Sequence, residues 1–412
     1  MRLSPVFVLL SALLAVQLSG CASQPDNQAE AADAADETGL PDYNDETDIV
    51  IEWRKQLGVG AGTAYTRLRP VVIGDTVFMA DTSGEVYALD LADGSEQWNV
   101  DLEQPVTAGV AQDNGQLFVA TRDGFLHCLN SADGSEIWRS RMTSESVAPA
   151  GTDAKRVFVH TVDGRVTAFE RTDGKQAWSY ETAMPVLTVR GTGTPLVLDQ
   201  LVITGFATGK LVALDKTLGI PRWDVRLASP DGRSELERLV DVDGAPIWDN
   251  GVIYAASYHG KLAAVSLNGE TRWEEEGSTY TSPELALGNL YLTLDSDHVQ
   301  SYDMASGAKV WTQKALHGRH LGQTSAYGSW LAVADGEGYL HIMNQVDGEL
   351  VGRKLLRPKP LHVNYPNQTE GTNWRALRGR DMGIRSPLVA TDKGLLVYTN
   401  AGELLLLSVQ SD

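Results

Sequence analysis

The strongest constraint on this chain is a frame that recurs along it, Ala-x-Asp-x-x-x-Gly-x-x-x-Trp. It reads in full at Ala88, Asp90, Gly94 and Trp98. It returns at Cys128, Asn130, Gly134 and Trp138, at Ala168, Glu170, Gly174 and Trp178, and at Ala213, Asp215, Gly219 and Trp223. One copy is a residue shorter (Ala264, Ser266, Gly269, Trp273), and the next is Ser301, Asp303, Gly307 and Trp311. A worn copy, Ile342, Asn344 and Gly348, carries Gly352 where the Trp would stand; Trp53 stands alone with no frame before it. A fixed signature at a period of about 40–50 residues marks a repeat architecture.

Each unit spells four short strands. After the apolar run 68–73 come a turn at Gly74-Asp75, a strand over 76–80, a turn at Ser83-Gly84, and an alternating strand over 85–89. Asp93-Gly94 is a strong hairpin signal, because a type I′ turn requires positive φ. Gln97-Trp98-Asn99-Val100 is the fourth strand. Four short antiparallel strands per repeat make a propeller blade. The Gly supplies the turn, the small Ala permits close approach, and the Trp brings a large apolar area to the contact between blades.

Trp53, Trp98, Trp138, Trp178, Trp223, Trp273, Trp311 and Gly352 give eight units. The first lacks three leading strands. The C-terminus supplies three strands, near 386–390, 394–399 and 402–408, and lacks a fourth. Pairing the strand at 48–57 with these three closes the ring and removes both sheet edges. The expected fold is all-β: an eight-bladed β-propeller of four-stranded antiparallel blades, closed by an N-terminal strand in the C-terminal blade. Seven blades would strand one of these segments.

Residues 1–20 read as a signal peptide, with Arg2 ahead of an apolar stretch at 6–16 that is too short to span a bilayer. Leu18-Ser19-Gly20-Cys21 matches the bacterial lipoprotein cleavage box. That resemblance implies cleavage before Cys21 and acylation of it, several chains together giving stable anchoring. Ala22, rather than Asp, follows the Cys, which in such lipoproteins points to the outer membrane. Residues 21–48 read as the lipidated Cys and an acidic tether, with nine carboxylates between Asp26 and Asp48 and no base. Residues 49–412 are then the propeller. A net charge of −20 argues against nucleic acid as a partner. With Cys21 given to lipid, Cys128 has no disulfide partner and reads as a small buried apolar residue.

Three stretches break the repeat. Residues 184–193 follow the Trp178 strand; alternation sets Leu187 and Val189 on one face, with Arg190 the only charge. Residues 228–244 lengthen the corresponding connection of the next blade and carry Asp241 and Asp243. Corresponding connections of adjacent blades share a face of a propeller, so the two should be neighbours and form a charged and apolar patch. Residues 352–385 have few strand runs and gather eight Lys and Arg against Glu370 and Asp381, a positive island able to meet anionic lipid or a partner.

No catalytic constellation stands out. The eight His are scattered, His317 and His320 have no Cys or carboxylate company, and no nucleophile elbow or phosphate loop occurs. No metal or cofactor is expected.

The frame resembles the repeat of pyrroloquinoline quinone enzymes, which are eight-bladed propellers holding a quinone and Ca²⁺ on the axis, many with a disulfide of adjacent cysteines. This chain is shorter and lacks that pair. It is similar instead to the non-enzymatic branch, the BamB family of propeller lipoproteins of the outer-membrane β-barrel assembly (BAM) machinery. The likeness covers the lipoprotein box, the tether and all eight repeats. Leu187-Thr188-Val189-Arg190-Gly191 resembles the family's Leu-Ser-Leu-Arg-Gly, with Val189 replacing a Leu. The run 237–243, Glu-Arg-Leu-Val-Asp-Val-Asp, resembles Ile-Asp-Arg-Leu-Ser-Asp-Val-Asp. The resemblance implies a scaffold without enzymatic activity, anchored through Cys21 on the periplasmic face of the outer membrane of a Gram-negative bacterium. It implies binding to the POTRA domains of BamA through Leu187, Val189, Arg190, Asp241 and Asp243. Other BAM subunits and unfolded outer-membrane clients are further implied partners. The alternative from another class is a periplasmic quinone-dependent oxidoreductase.

Overall fold

Eight four-stranded antiparallel sheets follow one another along the chain in the computed structural model, which describes residues 39–61, 66, 68–188, 191–357, 362–364, 374–376 and 379–411. We number them as blades: 71–101, 111–141, 151–181, 196–226, 247–276, 284–313 and 325–355 for blades 1 to 7, each with its strands adjacent in chain order. Blade 8 joins Val389–Ala390, Leu395–Tyr398 and Glu403–Ser411 to Thr47–Gln56. The closing pair is antiparallel and runs from Thr47 opposite Ser411 to Gln56 opposite Glu403. The eight-bladed ring with a two-ended closing blade is therefore what the spacing predicts.

The frame residues explain how the blades hold together. The small residue of each frame lies directly across the sheet from its Trp: Ala88 from Trp98, Ala168 from Trp178, Ala264 from Trp273. Each Trp indole N–H then donates to a carbonyl of the next blade, from Trp53 to Leu91 through Trp311 to Gln345, at 2.8 to 3.1 Å. The frame Gly of that next blade lies against the same ring. A Cβ on Gly94 would come within 2.8 Å of Trp53, and one on Gly174 within 2.5 Å of Trp138. The Trp and the Gly of successive repeats thus form one contact, made of a buried or half-buried ring, a glycine that lets it in, and an N–H satisfied by backbone.

The worn seventh copy has a physical cause. A Trp needs the hairpin between the third and fourth strands of the next blade. Blade 8 has no such hairpin, because its fourth strand comes from the other end of the chain. Thr47 fills the place instead: a Cβ on Gly352 would lie 2.0 Å from its Oγ1, which donates to the Val351 carbonyl at 3.2 Å. Residues just before this strand also dock on blade 7. The Arg353 guanidinium donates to the Pro41 carbonyl at 2.7 Å and covers the Tyr43 ring at 4.6 Å.

One expectation fails in detail. The Asp93-Gly94 hairpin is not type I′: Gly94 has φ +68°, but Asp93 is absent from the positive-φ residues. The loop is wider, with Gly94 N–H donating to the Asp90 carbonyl at 2.9 Å. Asn114-Gly115, with φ of +44° and +79°, has the positive values that a type I′ turn needs. Cys128 is fully buried, and burial pushes its thiol up to about 12. In the basic insert, His362–Asn364 pairs with Trp374–Ala376 as a separate two-stranded sheet. Arg357 of the island is buried rather than displayed.

Candidate functional site

Strands alternate in direction, so each blade's exit to the next lies at the same end as its turn between second and third strands. Both irregular connections, 182–195 and 227–246, are such exits, from blades 3 and 4. Glycines zip them together. A Cβ on Gly191 would fall 1.9 Å from Asp243 Oδ1 and 2.0 Å from its Cγ. A Cβ on Gly205 of blade 4 would lie 2.2 Å from Val242 Cγ1, and one on Gly193 would lie 3.0 Å from the Gly244 carbonyl. Glycine at 191 and 205 lets the second connection lie down on the first and on blade 4, and Gly193 keeps the approach to Gly244 unstrained.

The underside is a polar and apolar seat. His160 of blade 3 is 4% exposed, packs edge-on to Phe206 at 4.8 Å, lies 3.3 Å from the Thr204 hydroxyl, and hydrogen-bonds to the Gly193 backbone. Burial pushes its pKa down to about 4, so the imidazole is neutral at pH 7. Val240 and Val242 are buried. The Asp241 carbonyl accepts from the Tyr258 N–H at 2.7 Å. This clip is general: Arg122 to Pro105, Val162 to Glu145, and Gly336 to Arg319 repeat it in other blades.

The predicted residues divide into three groups. Asp241 and Asp243 are brought to the joint between the connections and are each 1% exposed in the isolated chain. Leu187 is at the surface, 38% exposed. Val189, Arg190 and Cys21 lie outside the described residues. Of the stretch 184–193, residues 184–188 and 191–193 are described and belong to no strand; Val189, which the expected alternation sets beside Leu187, lies outside them.

Sequence reasoning missed two exposed apolar side chains. Val186 is 94% exposed and Leu236 is 72% exposed. Leu236 stands on a single turn closed reciprocally. The Glu237 N–H donates to Ser234 Oγ at 3.2 Å, while Arg233 and Ser234 N–H groups donate to Glu237 Oε2 at 2.5 and 3.2 Å. Those backbone donors hold the Glu237 carboxyl below its ordinary range. Ser234-x-x-Glu237 is a capping box, and that signal would have found the turn. His317 and His320 sit in a turn, His317 Nδ1 lying 2.8 Å from the Ser296 carbonyl. Among the described residues no group of three His, Cys, Asp or Glu is placed to hold a metal, and no helix is long and apolar enough to cross a membrane.

These features define a class: an eight-bladed β-propeller of the quinoprotein repeat type, in which two of the stretches that break the repeat meet at one place. The family model described as "Outer membrane protein assembly factor BamB" matches residues 23–102 and 82–313. The curated BamB of Pseudomonas aeruginosa is 46% identical over 361 residues, covering 86% of this chain and 93% of that protein. The crystal structure of BamB from Moraxella catarrhalis superposes with a TM-score of 0.74 at 26% identity, covering 88% of this chain and all of that one. A quinohemoprotein alcohol dehydrogenase from Pseudomonas putida shares the fold alone, with a TM-score of 0.64 at 12% identity over 90% of this chain and 78% of that one. The chain belongs to the BamB family of outer membrane protein assembly factors. It is accordingly an assembly factor, not an enzyme, and is associated with the outer membrane.

Proposed function

We propose that this chain is a scaffold subunit of the BAM complex. It binds the POTRA domains of BamA through the patch that carries Leu187, Val189, Arg190, Asp241 and Asp243, and assists delivery of unfolded β-barrel proteins. Residues 1–20 are its signal peptide, and 21–48 link the lipid on Cys21 to the propeller on the periplasmic face.

The observation that carries this reading is the contact of Gly191 with Asp243. Two stretches that break the repeat, far apart in sequence, meet at one place, and the same two stretches carry the exposed Val186, Leu187 and Leu236. A repeat fold needs no such elaboration for its own closure, and exposed apolar groups beside charges suit a partner surface. Leu187, with Val186 and Leu236, supplies the area that loses water. Arg190 sets register by charge. Asp241 and Asp243 hold the joint in shape beneath them.

The test is binding of the full chain, purified in detergent, to purified BamA. Wild type is compared with Arg190→Glu and with Asp241→Ala/Asp243→Ala, each checked for a native melting transition. The reading predicts saturable wild-type binding that both variants lose. Binding that survives in both folded variants overturns the site.

A further inference from the structure

Blade 5 departs from the repeat at one more place. The turn between second and third strands has three residues in blades 3 and 4 and four in blades 1, 2, 5, 7 and 8, and ends in Gly in all seven. The two residues before that Gly are never aromatic in the other six, as in Thr82-Ser83 of blade 1 or Asn400-Ala401 of blade 8. In blade 5 they are Tyr258-His259. The turn therefore folds without aromatics, and these two serve something else.

Their geometry is that of a platform. The Tyr258 ring stacks on His259 at 3.8 Å and 25° and on Tyr280 at 4.3 Å and 23°. His259 is exposed, while Tyr258 and Tyr280 are half-buried. His259 also holds φ +52°, a left-handed value where glycine is the ordinary choice, with its N–H donating to Ser278 Oγ at 2.9 Å. Beside it opens a depression of about 530 Å³ that Leu294 and His298 also line. The platform adjoins the second connection, because the Tyr258 N–H donates to the Asp241 carbonyl at 2.7 Å.

We propose that the Tyr280–Tyr258–His259 stack is the second half of the docking surface and takes a planar side chain, aromatic or guanidinium, of the same partner. This rests on the reading of the patch given above. Flat π-faces stack planar groups, and rings already held by their neighbours lose little freedom on binding. Tyr is also enriched among the residues that dominate interfaces.

The experiment titrates purified BamA with the full chain bearing His259→Gly or Tyr258→Ser, and records each melting temperature. Glycine suits the backbone at 259, so His259→Gly should melt at or above wild type. Both variants should bind about tenfold more weakly. Wild-type affinity in both variants, with Arg190→Glu still defective, overturns the stack while leaving the patch intact. A fall in the melting temperature of His259→Gly that parallels its loss of binding would make the stack structural and overturn it too. Absence of wild-type binding overturns both.

Discussion

The carboxylate of Asp243 lies on the hydrogen face of Gly191, so close that a Cβ there would sit 1.9 Å from one oxygen and 2.2 Å from the other. Neither stretch would be placed correctly without the other. Gly191→Ala should therefore displace the second connection, destabilise the fold by about 1–3 kcal/mol, and weaken partner binding. In an Asp243→Ala background the same substitution should cost distinctly less. Equal costs in a double-mutant cycle, read by chemical denaturation, would show that the two do not press on each other.

Trp138 is 9% exposed, donates to the Arg171 carbonyl at 2.9 Å, and covers Gly174. Trp138→Ala removes the ring and leaves that carbonyl without its donor, so it should cost about 3–5 kcal/mol in urea unfolding. A loss below about 1 kcal/mol would mean that the ring is dispensable to the contact between blades.

Gly352 looks like a decayed repeat position, and restoring the consensus would be the natural engineering step. The structure predicts the opposite result. Gly352→Trp would drive a ring into Thr47 and should lower stability by about 1–3 kcal/mol, because no hairpin in blade 8 waits to receive it. A rise in melting temperature would contradict this account of ring closure.

How much of this was legible beforehand follows from where the information lies. Blade number and closure were legible because Trp, Gly and the small residue recur at fixed spacing, and one contact requires all three. The meeting of 184–193 with 228–244 was legible because corresponding connections share a face. That Asp241 and Asp243 would be buried was not, since a sequence does not tell a displayed carboxylate from one seated over a glycine. Nor was the displacement of Trp by Thr47, which depends on two residues 305 positions apart lying side by side, 352 against 47. Val186 and Leu236 were hidden by irregular backbone, where periodicity assigns no face.

His160 makes the seat of the first connection pH-sensitive. Its folded pKa, about 4, lies below its ordinary 6.5 because burial disfavours the charged ring. Between those values the unfolded chain binds more protons, so the stability contribution is complete above about pH 6.5 and is lost as pH falls toward 4. The loss should reach about 3 kcal/mol, and His160→Gln should flatten that part of the profile. A wild-type profile no steeper than that of the variant between pH 6.5 and 4 would contradict the assignment.

The most direct test of the central claim is photocrosslinking in living cells from single positions on the two ends of the propeller. A photoreactive residue at Val186 or Leu236 should crosslink to BamA. One at Leu218 or Leu287, which are 60% and 68% exposed in turns at the opposite end, should not. Crosslinks from 218 or 287, with none from 186 or 236, would place the docking surface on the other face and contradict the account.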